Sequence, residues 1–363
     1  MGFSRWAGGY LGLFAVVLRL SAAAYPQLTE KWYSASVYPI IRGLLDHTLV
    51  LLPFPAFYLL LLSLLFLGYR LIKTLKQLKN RNGKLLFFPR VLINFLGWVI
   101  FLFLMLWGYN YYRIPLYQHL NLNPEPLSLS LLVEEMEATQ NQLVLIRNEM
   151  QADTFSLPNA PSFSFQISHV RSDMKAFLKE WNHSWKGSPV VKQFRPEGTL
   201  RKLGIFGIYF PFTGEGYLDP SLHPLEKSFT MAHELAHGFG ITNEGEANFM
   251  AWLICSESEQ SFIRYAATLK LFRYQLNDLY RMDEEGYLLL VKNIPEIIKR
   301  DIREIQESNK AIRPYSVELS RKSNDLYLKT QGVKEGVKSY AQLPMLVHAW
   351  KAKTNKWTSD CQY

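Results

Sequence analysis

The sequence predicts a mainly α protein, in which N-terminal transmembrane helices precede a mostly helical α+β domain with a small sheet. Two observations support this prediction. Three long apolar segments lie within residues 1–113 of the 363-residue chain. The remaining residues show apolar side chains mostly at helical spacing, with one extended segment over residues 203–212.

The apolar segments cover about residues 8–25, 55–73 and 91–112. At about 1.5 Å per residue, a helix of this length can cross the roughly 30 Å hydrocarbon layer of a bilayer. The first segment contains Arg19 and could instead be a signal peptide, with Ala22-Ala23-Ala24 as the only candidate cleavage site. Residues 26–54 are mixed in polarity and carry aromatics that suit a membrane–water interface. We therefore expect residues 1–113 to be a membrane region with three spans in contact with the lipid bilayer.

The distribution of charge indicates how these spans are oriented. Residues 1–113 hold 12 Lys and Arg against only Glu30 and Asp46, whereas the rest of the chain holds 28 basic and 29 acidic residues. Because the basic excess lies wholly in the apolar third, it does not indicate binding to nucleic acid. Seven basic residues and no acidic ones lie between positions 70 and 90. The positive-inside rule places this short loop in the cytoplasm, so residues 114–363 are expected on the extracytoplasmic side of the cell membrane.

The soluble part contains the motif His233-Glu234-Leu235-Ala236-His237 on a predicted helix from about 228 to 239. Residues four apart share one face of a helix, so both imidazoles can reach one point. Two imidazoles with an adjacent carboxylate base are typical of zinc hydrolases. We expect Zn²⁺ at this motif, with Glu234 as the general base on a zinc-bound water. Cys255 and Cys361 give neither a disulfide framework nor a cysteine metal site.

A catalytic zinc normally has three protein ligands. Gly240 and Asn243 occupy the positions where a metzincin has its glycine and its third histidine, and an amide is a poor zinc ligand. Glu246, at the start of the following helix, is the preferred third ligand, with Glu244 or a more distant residue as alternatives. Tyr340 and His348 are candidates for stabilising an oxyanion.

Several short segments spread over the chain resemble an uncharacterised bacterial family of polytopic membrane proteins, which is similar to gluzincin-type zinc metallopeptidases. These segments are Tyr33-Ser34, Tyr38-Pro39, Pro53-Phe54, Trp107-Gly108-Tyr109-Asn110-Tyr111-Tyr112-Arg113, Gly207-Ile208-Tyr209-Phe210-Pro211-Phe212-Thr213, the motif at 233–237, Glu246-Ala247-Asn248-Phe249 and Gly336-Val337-Lys338-Ser339-Tyr340. The resemblance implies a zincin-like metallopeptidase domain, residues 114–363, after the membrane region.

The expected function is therefore that of a membrane-anchored zinc metallopeptidase that hydrolyses extracytoplasmic proteins or peptides. A non-catalytic membrane sensor or scaffold with a structural zinc site is the alternative, although such a site has no use for Glu234 as a base. An intramembrane protease is disfavoured, because polar residues such as Glu226, Lys227 and Asn243 flank the motif within ten residues.

The orientation can be checked by labelling single cysteines in intact cells. A cysteine at Asn82 should be protected from a membrane-impermeant maleimide, because the basic loop is cytoplasmic. A cysteine at Lys310 should react. The reverse pattern would contradict the predicted orientation.

Overall fold

The computed structural model describes residues 6–77, 81–150, 160–180, 186–333 and 336–354, and within these ranges not the side chains of residues 81–86, 180, 337, 338 and 340. The described chain is mainly helical with a three-stranded sheet, as the sequence predicts. It divides into two compact units. The first unit comprises residues 1–114, 186–189 and 210–215, and the second comprises residues 115–185, 190–209 and 216–363.

The first unit is helical. Its helices are α1 (Ala7–Ala24), α2 (Pro26–Leu28), a π-helix (Thr29–Val37), α3 (Tyr38–Asp46), a 3₁₀ turn (Leu49–Leu51), α4 (Phe57–Gln77), α5 (Arg81–Leu106) and a second 3₁₀ turn (Gly108–Tyr112).

Three helices of the first unit are long and apolar enough to cross a membrane, namely Ala7–Ala24, Phe57–Gln77 and the Phe87–Leu106 part of α5. The first two of these helices coincide closely with the predicted spans at about 8–25 and 55–73. The third was predicted to continue to residue 112, but α5 ends at Leu106. Trp107 leaves the helical conformation with a φ of −161°, and the chain then forms the 3₁₀ turn in which Tyr109 and Asn110 are buried.

Helices α1 and α5 approach each other closely through small residues. The backbone N–H of Gly8 donates to Asn94 Oδ1 at 2.9 Å. A Cβ atom on Gly12 would lie 2.5 Å from the Cα atom of Gly97, closer than real side chains allow. Glycines at helix crossings of this kind let two apolar helices gain van der Waals contact along their backbones.

The second unit carries the remaining elements. Its helices are α6 (Leu116–His119), α7 (Leu129–Glu149), α8 (Phe163–Glu180), α9 (Thr199–Lys202), α10 (Pro224–Gly238), α11 (Glu244–Ser256), α12 (Ser261–Met282), α13 (Glu284–Asn293), α14 (Glu296–Ala311), α15 (Val317–Thr330) and α16 (Leu343–Thr354), with a 3₁₀ segment over Gly336–Gln342.

The sheet consists of β1 (Val191–Gln193), β2 (Gly207–Phe210) and β3 (Glu215–Leu218) in the order β1-β3-β2. Strands β1 and β3 are parallel, with Val191 opposite Gly216. Strand β2 lies at an edge and forms the central part of the extended segment predicted over residues 203–212.

The motif helix α10 starts earlier than predicted. The sequence analysis placed its start near residue 228, but the helix begins at Pro224, and His223 Nδ1 accepts a hydrogen bond from the N–H of Leu225. Proline is favoured in the first turn because its missing N–H has no helical partner there. Ser228 is instead buried and donates to Gln166 Oε1 at 2.7 Å. Nearly all of α10 is buried, and its apolar residues pack in one core with those of α8, α11 and α16.

The close approach of α1 and α5 predicts a specific sensitivity to added volume. Gly12→Ala should destabilise the protein by about 1–3 kcal/mol, because the new methyl group forces two backbones apart. Gly68→Ala is the matched control, since no atom lies within 4 Å of a Cβ at that position in α4. Thermal unfolding in detergent measures both variants, and equal stability of the two would contradict the packing described for Gly12.

Candidate metal centre

Helix α10 brings the two motif histidines together. His233 and His237 are one turn apart, with ring centroids 4.6 Å apart in an edge-to-face arrangement. Their Nε2 atoms are 3.0 Å apart. Both side chains therefore aim the same nitrogen at one point, as the spacing of the motif predicts.

Glu244, the first residue of α11, completes the cluster. Its Oε2 atom lies 3.1 Å from His233 Nε2 and 3.4 Å from His237 Nε2. Zinc–nitrogen and zinc–oxygen bonds of about 2.0–2.2 Å in a tetrahedron require ligand atoms about 3.3–3.5 Å apart. Among the histidines, cysteines and carboxylates that the structure describes, these three side chains lie close enough together to hold one metal ion.

The preferred third ligand of the sequence analysis, Glu246, is not part of this cluster, and the structure favours the alternative, Glu244. Residues two apart on a helix point about 200° apart. When Glu244 faces the histidines, Glu246 is directed elsewhere, and its Oε1 atom accepts a hydrogen bond from the backbone N–H of Tyr117 at 3.3 Å. Asn243 caps α11, its Oδ1 accepting from the N–H of Glu246 at 3.0 Å.

A hydrogen bond behind the cluster orients the imidazole of His237. His237 Nδ1 is 2.6 Å from the carbonyl oxygen of Ile241. Because a carbonyl only accepts, His237 carries its proton on Nδ1 and leaves Nε2 available for a metal ion. His233 hydrogen-bonds to Asn248, whose Nδ2 donates to the hydroxyl of Tyr274 at 3.2 Å. Sequence reasoning missed Asn248, although its position one turn after Glu244 was a usable signal.

Glu234 lies against the sheet. A Cβ atom on Gly207 of β2 would lie 2.6 Å from Glu234 Oε1, and one on Gly216 of β3 would lie 2.8 Å from Glu234 Cβ. The backbone N–H of Tyr209 also hydrogen-bonds to the Glu234 carboxylate. The two glycines therefore make the space that lets Glu234 reach the edge strand. The sequence analysis did not identify these two glycines as contacts of Glu234.

The electrostatics of the cluster separate the roles of the two carboxylates. Burial raises the pKa of Glu234 to about 8. Burial would also raise the pKa of Glu244, but its contacts with His237 and His233 outweigh this effect and lower it well below its usual range. Glu244 therefore stays ionised, as a metal ligand must, whereas Glu234 can exchange a proton near neutral pH.

The two histidines are also shifted. Burial lowers the pKa of His233. Burial opposes the charge of His237 too, but the Glu244 carboxylate outweighs it and raises the pKa of His237 to about 9. The ionised Glu244 carboxylate thus favours a positive charge at the two imidazoles. A metal cation and a proton compete for Nε2 of His237.

Of the two candidates for oxyanion stabilisation, the structure describes the side chain of His348, which pairs with a buried carboxylate. His348 Nδ1 is 2.8 Å from Glu135 Oε1, and Lys351 Nζ is 3.0 Å from the other oxygen of that buried carboxylate. The side chain of Tyr340 lies outside the described residues. The segment that carries it, Gly336–Gln342, contacts the start of α11, where a Cβ on Gly245 would lie 2.5 Å from the carbonyl oxygen of Ser339.

The fold and the site together define a mainly helical protein with three membrane-length helices and a buried His–His–Glu cluster that could hold a metal ion. The chain belongs to the family described as "Protein of unknown function (DUF3810)", whose profile matches residues 33–348 and so includes the cluster. No curated protein and no solved structure matches the chain.

The geometry predicts which carboxylate holds the metal. Glu244→Ala should remove most bound zinc, as should His233→Ala or His237→Ala, because two remaining ligands bind the ion weakly. Glu246→Ala is the matched control and should keep its zinc. Metal content of purified variants, measured by atomic emission, tests this assignment. Zinc lost from Glu246→Ala but kept by Glu244→Ala would reverse it.

Proposed function

We propose that the protein is a membrane-anchored, zinc-dependent metallopeptidase of the gluzincin type. The observation that carries this proposal is the convergence of His233, His237 and Glu244, whose ligand atoms lie 3.0–3.4 Å from one another, with Glu234 between them and the sheet. The three ligands would leave the fourth position of a tetrahedral ion open, as hydrolytic zinc sites do. Bound zinc would polarise a carbonyl and acidify water.

Glu234 supplies the proton transfers. Its carboxylate takes a proton from the attacking water and later gives it to the leaving amine. Burial raises the pKa of Glu234, which favours its holding the proton between the two steps. The N–H of Tyr209 and the glycines at 207 and 216 fix the position of Glu234, so a rotamer change is not needed between the two steps.

An extended peptide is the substrate that the sheet suits best. Strand β2 lies at the edge of the sheet, and its first residue, Gly207, contacts Glu234. Edge strands bind extended peptides through main-chain hydrogen bonds, and pockets for alternate side chains add specificity. A peptide paired with β2 would present its backbone carbonyls beside Glu234.

The contacts inside the first unit support the proposed topology. Asp46 and Ala56, which lie between α1 and α4, hydrogen-bond to Ser188 and Glu215, which follow α5 in the chain. Two crossings, by α4 and α5, separate these parts, so both lie on the same side of a membrane. The basic loop between α4 and α5 is then on the opposite side. With that loop in the cytoplasm, the contacting segments are extracytoplasmic.

The decisive variant is Glu234→Gln, which is nearly isosteric but cannot accept the proton. We expect near-wild-type folding and zinc content with a loss of hydrolysis of about 10²–10⁴-fold, the usual contribution of a general base. The assay is the turnover of an unfolded casein-like substrate, or self-cleavage, by the full-length protein in detergent. Glu246→Gln is the control, since that carboxylate lies outside the cluster.

Equal hydrolysis by Glu234→Gln and the wild type, at equal zinc occupancy, would remove Glu234 from the mechanism. Zinc binding without hydrolysis by either protein would contradict the peptidase and favour a sensor or scaffold with a structural metal.

A further inference from the structure

A continuous helical run of mixed polarity follows α1. It comprises α2, the π-helix and α3, and so covers residues 26–46. The run is as long as a span, but it carries Glu30 and Lys31 near its start and Arg42 and Asp46 near its end. A helix of this kind must place its polar side chains against protein or water.

One face of the run is buried within the first unit. The buried residues are Ser34 and a series that recurs every four or five positions, namely Thr29, Tyr33, Tyr38, Arg42 and Asp46. The Tyr33 hydroxyl donates to the carbonyl of Met105 at 2.8 Å, and its ring meets that of Tyr109 edge to face. The run therefore packs against the end of α5 and the turn after it.

The other face is apolar and exposed. Leu28, Trp32, Ile40 and Leu44 lie at four-residue steps, which the exposed Ser36 interrupts at its middle position, and they are 53%, 63%, 68% and 64% exposed. The charged neighbour of this stripe is Lys31, whose ammonium group lies 5.6 Å from the centre of the Trp32 ring. An apolar stripe edged by a tryptophan and a lysine is typical of helices that lie in the headgroup region of a bilayer.

We propose that residues 26–46 form an interfacial anchor, whose face of Leu28, Trp32, Ile40 and Leu44 is embedded in the phospholipid leaflet. Continuity identifies lipid as the occupant. The run starts two residues after the membrane-length helix α1 ends, and α4, which begins eleven residues after the run, also exposes apolar side chains along its length. The anchor extends the lipid-facing surface of these helices along the membrane plane.

The anchor has a defined task within the first unit. Arg42 pairs with Asp46 at 2.7 Å and donates to the carbonyl of Gly214 at 2.6 Å. Asp46 also accepts from the N–H of Ser188 at 2.6 Å. The lipid-bound run thus holds residues 186–189 and 210–215, and the second of these segments continues directly from strand β2. This role is independent of the metal and of hydrolysis.

The test uses nitroxide spin labels in full-length protein reconstituted in phosphatidylcholine–phosphatidylglycerol nanodiscs. Single cysteines at Ile40 and Leu44 are introduced into a Cys361→Ser parent, in which the remaining Cys255 is buried and should not react. A label at Leu319, which is 69% exposed on α15, is the water-facing control. We expect labels at 40 and 44 to collide at least several-fold more often with oxygen than with a polar nickel chelate, and the control to show the opposite.

A preference for the nickel chelate at 40 and 44 would place this face in water and overturn the proposal. Low collision with both reagents would mean that protein covers the face, which would overturn it as well. In the same nanodiscs, Leu44→Asp should increase hydrogen exchange of residues 210–215, whereas Leu319→Asp should not. Unchanged exchange in Leu44→Asp would remove the proposed role in holding that segment.

Discussion

The burial of one carboxylate between two imidazoles is the constraint on which the second unit depends. An ionised Glu244 in the protein interior would be costly without positive charge beside it, because burial removes its hydration. Two histidines from α10 and one glutamate from α11 satisfy this requirement only if the two helices meet at a fixed distance. The short connection between them allows this: Gly240 adopts a φ of 85°, and Asn243 caps the next helix.

The close approach of the sheet backbone to helix α10 determines where Glu234 lies beside that cluster. Gly207 and Gly216 have no side chains, so Glu234 on the helix contacts the backbones of two strands directly. The same device recurs at Gly245, where the segment 336–342 meets α11. In the proposed peptidase these contacts matter because positioning, more than affinity, sets the rate of proton transfer.

The first unit shows a comparable arrangement for a different purpose. Buried Arg42 and Asp46 satisfy each other, and they also bind backbone groups of segments that come much later in the chain. Pairs of this kind stabilise little by themselves, but removing one partner leaves a buried charge, so they specify one arrangement of the chain. Proposed lipid contact on the opposite face of the same helix would fix that arrangement relative to the membrane plane.

The sequence by itself determined the three apolar helices, the predominance of helix and the pairing of His233 with His237, because all of these follow from local composition and the period of the α-helix. It did not determine which carboxylate joins them. Glu244 and Glu246 share one helix start and are equally suited chemically, and the side of α11 that faces α10 is set by packing between distant segments. The contacts of Glu234 with Gly207 and Gly216 were decided in the same way. They join a helix to two strands, and the sequence alone does not show which strand residues the folded chain brings against Glu234.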